Sequence, residues 1–332
     1  MSTPVVIVTE PEYRRAERVF SSSTAVRCIV GPSDEHALAA AIAESGARHA
    51  VVGGQPYRGP LYAAIGRGRV IARFGVGHDG IDKQKATGEG VLCTNTPAVL
   101  DQSVAELTFL LIAAAARHLT TIAGAMRDGV WAPKEGTELR GKTLTMIGTG
   151  RIGRAVARIA TRGYDMRVVG YCRPGSAAKS NPGEEFQSMT DDLESALGQA
   201  DFVGVLIPAS PANAHFINRE RLGWMQRHAW LINTARGMVV DERALYDALK
   251  ENRIAGAALD VFDIEPYKPA DPSKDLRTLP NVILTPHVGS HTPDANGRMA
   301  SRALENIVLA EAGEFGRMDL LNPEVLARGS RA

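Results

Sequence analysis

Three ionisable side chains stand just past apolar runs of strand length: Arg236 after LINTA, Glu265 after ALDVFDI and His287 after VILTP. Singly, each has a plain structural reading: a solvated loop cation, a surface carboxylate, a turn residue with a satisfied ring. In open parallel sheets, however, ligands bind beyond the carboxyl ends of the strands. A cation, a carboxylate and an imidazole gathered at one such mouth are the set that transfer of a hydride plus a proton requires. One group grips an anionic substrate, one moves the proton, and one tunes the imidazole.

A nucleotide site is readable upstream in TLTMIGTGRIGRAVARIA (143–160). The apolar run Leu144–Ile147 breaks at Gly148-Thr149-Gly150-Arg151-Ile152-Gly153. It passes straight into a helical pattern with Ile152, Val156, Ile159 and Ala160 on one side. Strand, glycine turn and helix follow in the order a dinucleotide site needs. Gly148 permits the turn, Gly150 lets backbone approach a pyrophosphate, and Gly153 lets helix and strand pack closely, with the helix N-terminus facing the anion. Taken alone, the pattern also fits an ordinary strand-to-helix turn.

The elements that position these groups alternate along the chain. Strands are expected at Val5–Thr9, Val26–Val30, Ala50–Val52, Val70–Arg73 and Val91–Cys93, with helices around Pro11–Phe20, from Ser33 or Asp34 to Gly46, and up to Ile65. A long helix, about Asp101–Arg127, has a nearly all-apolar middle; it reads either as an element between domains or subunits or as a buried core helix. From Thr143 a second series carries strands at Arg167–Tyr171, Phe202–Leu206, Trp230–Asn233, Ala257–Asp260 and Val282–Leu284. Helices fall near Asp191–Leu197, Arg219–Met225 and Asp241–Lys250, and a final helix, about Pro293–Ala312, follows the last strand. Such alternation predicts an α/β fold with doubly wound parallel sheets.

Composition narrows the function classes. At 332 residues the chain is long enough for two domains with full cores. Lys+Arg 38 against Asp+Glu 37 leaves a net charge of +1 and no electrostatic case for nucleic acid or an anionic membrane. Cys28, Cys93 and Cys172 follow no disulfide or metal spacing, so a reducing cytoplasm and no metal are expected. MSTPVVIVTE lacks the basic start and long apolar stretch of a secretion signal, and Leu107–Ala116 is about half a membrane span.

Several long stretches together resemble the D-isomer-specific 2-hydroxyacid dehydrogenases: RFGVGHDGID (73–82), NTPAVLDQSVAELTFLLIAAAAR (95–117), ELRGKTLTMIGTGRIG (138–153), LINTARGMVVDERAL (231–245), AALDVFDIEP (257–266) and NVILTPHVGS (281–290). The resemblance covers nearly the whole chain. It implies two Rossmann-like domains, with a dinucleotide-binding domain (101–290) inserted into a flavodoxin-like substrate domain (1–100 and 291–332). It also implies a homodimer built around the helix matching 101–117. On the same ground Arg236 holds the substrate carboxylate and carbonyl oxygen, and His287 gives the proton in reduction and takes it in oxidation. Glu265 hydrogen-bonds His287 and favours the imidazolium. Backbone N–H groups at Val76 and Gly77 bind the carboxylate. The cofactor falls to Gly148, Gly150, Arg151, Ile152 and Gly153, with Pro208, Thr108, Thr234 and Asp260 expected along it, Asp260 orienting the nicotinamide carboxamide.

Two departures bear on specificity. His78 replaces a residue the family more often has as apolar or tyrosyl, and Gly53-Gly54 replaces the family's common Arg-Ser or similar pair, leaving Tyr57 and Arg58 as candidates for the substrate's tail. The strand Arg167–Tyr171 ends in Tyr171-Cys172-Arg173-Pro174, about 20 residues past the glycine motif, where NAD-preferring relatives carry an acidic residue. With Cys172 there, and Arg173, Ser176 and Lys179 behind it, NADP(H) is the expected cofactor; dual use with NAD(H) is the alternative. The function expected is hydride transfer between NAD(P)H and a small 2-keto acid of glyoxylate or hydroxypyruvate type. The alternatives are a nucleotide-sensing corepressor-like binding protein, for which long tails or charge runs are lacking, and a formate dehydrogenase-like enzyme, in which glutamine replaces the glutamate.

Overall fold

The computed structural model describes residues 3–176 and 183–329. The chain divides into two compact units, one formed by the residues up to Leu100 together with those from Ser290, the other by Asp101–Gly289.

In the first unit five strands, β1 (Val5–Thr9), β2 (Arg27–Gly31), β3 (His49–Val52), β4 (Val70–Arg73) and β5 (Leu92–Thr94), form a parallel sheet in the order β2-β1-β3-β4-β5. This is the flavodoxin-like winding. β3 is buried at every residue, as befits a parallel strand covered on both faces. The Glu35–Ser45 helix starts where Asp34 accepts the Ala37 N–H and stops at Gly46 in the left-handed region. Leu38 and Ile42 from this helix pack with Ile7, Ala50, Val52 and Ile71. The long helix Pro293–Glu311 returns to this unit, and the segment after it closes the sheet edge. Leu321 N–H donates to the Cys93 carbonyl, and Asn322 accepts the Cys93 N–H.

The second unit holds seven parallel strands: β6 (Thr143–Ile147), β7 (Arg167–Tyr171), β8 (Ser188–Thr190), β9 (Phe202–Val205), β10 (Trp230–Asn233), β11 (Gly256–Leu259) and β12 (Val282–Leu284). Their order is β12-β11-β10-β9-β6-β7-β8. The winding reverses between β6 and β9, which is the switch point of a Rossmann sheet. One face is covered by Asp101–Ala116 and Arg151–Tyr164, whose Phe109, Ile112, Val156 and Ala160 share a core with Leu144 and Val168. The other carries Leu193–Gly198, Arg219–Trp224 and Glu242–Lys250, contributing Leu197, Leu222, Leu245 and Leu249.

The expected long helix is two helices. Asp101–Ala116 ends, His118 turns left-handed (φ 49°), and Leu119–Arg127 leaves at 69°. No glycine or proline marks the break, which falls at Arg117-His118 ahead of Leu119-Thr120-Thr121, and the turn itself depends on a single backbone residue. The helix expected over Pro11–Phe20 is likewise divided, at Ala16. β8 was not anticipated, since three residues at a sheet edge carry no periodic signal. Among the described residues no single helix is long and apolar enough to cross a membrane.

Candidate functional site

The glycine turn sits directly on β6. Gly148 adopts φ 112°, and a methyl group on Gly153 would overlap the Gly148 carbonyl oxygen, so only glycine lets the helix start this close to the strand. Nothing lies within 4 Å of where a Cβ on Gly150 would stand. The Arg151–Tyr164 helix has no side-chain cap, so the first-turn N–H groups, including those of Arg151, Ile152 and Gly153, remain available to an anion. The Arg151 guanidinium is held by Asp101 (2.8 Å), which leaves its backbone as the group facing a ligand. This arrangement fits a dinucleotide pyrophosphate.

Beyond the ends of β10, β11 and β12 the structure brings Arg236, Glu265 and His287 together. His287 Nδ1 and Glu265 Oε2 are 2.6 Å apart, and Glu265 Oε1 accepts the Phe262 N–H at 3.0 Å. Burial pushes the Glu265 carboxyl up, but the His287 hydrogen bond and charge, the Phe262 N–H and the Arg236 charge together outweigh it. Its pKa lies below the ordinary carboxylate value. With Nδ1 engaged, Nε2 is the nitrogen left to exchange a proton with a ligand. Arg236 donates to the Ala235 carbonyl at 2.7 Å, and Asn233 holds its turn by donating to the Arg236 carbonyl (2.9 Å) and accepting the Ala235 N–H (3.0 Å).

His287 is left-handed, at φ 53°. For a non-glycine residue that costs about 1–3 kcal/mol, and it persists where the surroundings determine it. Asp260 supplies the determination. Its carbonyl accepts the His287 N–H (2.8 Å). Its carboxylate accepts from Thr285 Oγ1 (2.6 Å), Val288 N–H (2.9 Å) and Gly289 N–H (2.9 Å). A charge-assisted bond contributes about 1.5–3 kcal/mol, so three exceed the strain. The expectation that Asp260 orients a carboxamide is therefore joined by a second role: most of its acceptor capacity secures the loop that carries His287. Thr108 is fully buried, its hydroxyl shared between the Val104 carbonyl and Thr234 Oγ1, both 2.7 Å away. It shapes the end of β10 from behind.

On the adenosine side Cys172 lies at the end of β7, buried, with its N–H on the Thr190 carbonyl. Arg173 is exposed and its side chain has no partner among the described residues. Lys179 lies outside the described residues. Pro208, past β9, is exposed and its carbonyl accepts from Asn213.

In the first unit the N–H groups of Val76 and Gly77, past β4, have no acceptor among the described residues. Tyr57 and Arg58 do not behave as expected for groups reaching a substrate's tail. Tyr57 is fully buried, its hydroxyl ending beside Gln55 and Gly53 without a well-formed hydrogen bond, and burial pushes its pKa up. Arg58 donates to the carbonyls of Tyr57, Asp79 and Gly80 and so ties its own loop. What the glycine pair admits instead was missed in the sequence. A Cβ on Gly53 would stand 2.6 Å from Glu12 Oε1, and one on Gly54 2.9 Å from an Arg73 terminal nitrogen. Glu12 follows β1 and Arg73 is the last residue of β4, too far apart in sequence to be associated by spacing.

Comparison with known proteins agrees with this geometry. The family described as D-isomer specific 2-hydroxyacid dehydrogenase, NAD binding domain, matches residues 109–289. The glyoxylate reductase of Korarchaeum cryptofilum is 40% identical over 277 residues, covering 82% of this chain and 81% of that protein. The NADPH-dependent glyoxylate/hydroxypyruvate reductase of Sinorhizobium meliloti, solved with NADP and malonate, gives a TM-score of 0.76 at 28% identity over 93% of each chain. The D-lactate dehydrogenase of Aquifex aeolicus, solved with NAD and lactic acid, gives 0.78 at 26% identity, covering 95% of this chain and 98% of that one. With this extent of similarity, and a glycine turn and His–Glu pair at one sheet end, the chain belongs to the D-isomer-specific 2-hydroxyacid dehydrogenase family.

Proposed function

We propose that this 2-hydroxyacid dehydrogenase is a reductase of small 2-keto acids of glyoxylate or hydroxypyruvate size that favours NADPH over NADH. The observation that carries the reading is the 2.6 Å pairing of His287 with Glu265 beside Arg236, at the same sheet end as the uncapped glycine turn. When bound, the nicotinamide supplies the hydride. The chain's own groups manage charge and proton. Arg236 pairs with the substrate carboxylate and polarises the carbonyl oxygen, aided by the Val76 and Gly77 N–H groups. His287 delivers the Nε2 proton to that oxygen and recovers it in oxidation, while Glu265 favours the protonated ring.

The cofactor is assigned to Gly148, Gly150, Arg151, Ile152 and Gly153 at its pyrophosphate, and to Pro208, Thr234 and Asp260 toward the nicotinamide, with Thr108 supporting Thr234. Cys172 and Arg173 lie where the adenosine ribose belongs. Among the described residues no carboxylate there repels a 2′-phosphate, and the exposed Arg173 guanidinium can pair with one. The tail region, with Glu12 beside Gly53 and Arg73 beside Gly54, suits a small neutral tail rather than a phosphate. Leu119, Met126, Val130 and Trp131 present exposed apolar surface, which supports a homodimer, and the separate free thiols support a cytoplasmic setting.

A panel of 2-keto acids assayed with NADH and NADPH through cofactor absorbance tests the reading. Preference for a phosphorylated 3-carbon keto acid over glyoxylate and hydroxypyruvate would contradict the assigned tail.

A further inference from the structure

The turn after β4 is held from behind at two consecutive peptide planes. The Thr96 N–H donates to the Gly75 carbonyl (3.1 Å), and Asn95 Nδ2 donates to the Val76 carbonyl (2.7 Å). Among the described residues the cis peptide bond is Glu265–Pro266, so both of these planes are trans. In a trans peptide the N–H points opposite to the C=O of the same plane. The N–H paired with the Gly75 carbonyl is that of Val76, and the one paired with the Val76 carbonyl is that of Gly77. Two successive carbonyls drawn to one side therefore aim two successive N–H groups at the other. Consecutive N–H groups turned the same way make an anion-binding concavity, and these two have no acceptor among the described residues.

We infer that Asn95 and Thr96 are positioning residues that aim the Val76 and Gly77 N–H groups at the substrate carboxylate; this rests on the proposed function assigning those amides to the substrate. The anchor is itself built in. Thr96 is fully buried and its Oγ1 accepts the Gly75 N–H at 3.0 Å. The Asn95 carbonyl accepts from Asn306 Nδ2 (3.3 Å), and Asn306 Oδ1 accepts the Asp319 N–H (2.8 Å). Arg302 in turn holds the Asp319 carboxylate through two bonds, at 2.6 and 3.0 Å. The Pro293–Glu311 helix thus braces the segment that braces the turn. A donor on the Val76 carbonyl also polarises its plane and makes the Gly77 N–H a better donor.

The test compares glyoxylate with its methyl ester, which keeps the reacting carbonyl and lacks the carboxylate charge. The ratio of their kcat/KM values is measured in the full-length wild type and in Asn95→Leu, which removes the donor without adding charge. The expected result is a fall of about 10- to 100-fold in kcat/KM for glyoxylate, with much less change for the ester and NADPH affinity retained. A ratio equal to that of the wild type in a folded Asn95→Leu protein overturns the inference, as does an equal fall for both substrates. If Asn95→Leu shows no cooperative thermal transition, the smaller Asn95→Ser is read by the same ratio, with the same result expected and the same result overturning. A wild type that does not discriminate against the ester would instead contradict the assigned carboxylate site. That outcome is separate from an unchanged ratio in the variant.

Discussion

Replacing Glu265 with glutamine keeps the shape of the His287 partner and deletes its charge. The two groups meet at 2.6 Å, with side chains 43% and 35% exposed. Unit charges about 4 Å apart interact by about 1 kcal/mol in water and about 4 kcal/mol at the effective dielectric of a protein surface. Partial exposure places this pair toward the lower end, about 1–2 kcal/mol. The sign follows from what each direction consumes. Reduction uses the ring proton, so its rate falls as pH rises, and Glu265 delays that fall by favouring the charged ring. Because Glu265 is held below the ordinary carboxylate value, it exerts this effect throughout the neutral range. Glu265→Gln should therefore move the midpoint of the fall in reductive kcat/KM to lower pH. The onset of oxidation should move the same way. The assay is kcat/KM for glyoxylate across pH, followed by cofactor absorbance. Coincident wild-type and variant profiles would remove Glu265 from the proton machinery.

Arg236→Lys should lose about 30- to 1000-fold in kcat/KM, since a point charge cannot replace the forked grip on a carboxylate; near-normal efficiency would refute the role. Asp260→Asn turns charge-assisted bonds to Thr285, Val288 and Gly289 into neutral ones and sets an N–H against a donor. It should lower kcat by about 10-fold or more through a loosened His287 loop, and an unchanged kcat would show that Asp260 does not hold it. Cys172→Asp combined with Arg173→Ala should reverse a preference for NADPH of about 10- to 150-fold, mostly through KM for the cofactor. A wild type that uses NADH more efficiently would show that the end of β7 has been misread.

Much of the fold and of the site is legible in the sequence. Continuous apolar runs such as TLTMI and WLIN signal buried parallel strands, and their regular alternation with helices implies the doubly wound sheets. The glycine turn carries its own steric logic. Arg236, Glu265 and His287 could be grouped because each follows a strand, and strand ends in one parallel sheet share an edge. What escaped depended on facts that spacing does not encode. The bend at His118 is one residue's backbone choice. Asp260 resembles a ligand group in sequence, whereas in space its carboxylate is enclosed by the turn from Thr285 to Gly289. Arg58 reads in the sequence as a candidate for the substrate's tail because carbonyl acceptors leave no trace in side-chain patterns. Asn95 and Thr96 act through backbone planes, and Glu12 and Arg73 reach Gly53 and Gly54 from distant strands, so only the folded chain brings them there.

The central claim is that His287, poised by Glu265, carries the proton of a 2-keto acid reduction. The most direct measurement is glyoxylate-dependent NADPH oxidation by the wild type and by His287→Ala, with NADPH affinity measured on both proteins. The wild type should turn over, His287→Ala should lose about 10²- to 10⁴-fold, and NADPH affinity should hardly change. A His287→Ala protein with wild-type efficiency, or a wild type whose NADPH oxidation ignores every 2-keto acid supplied, would contradict it.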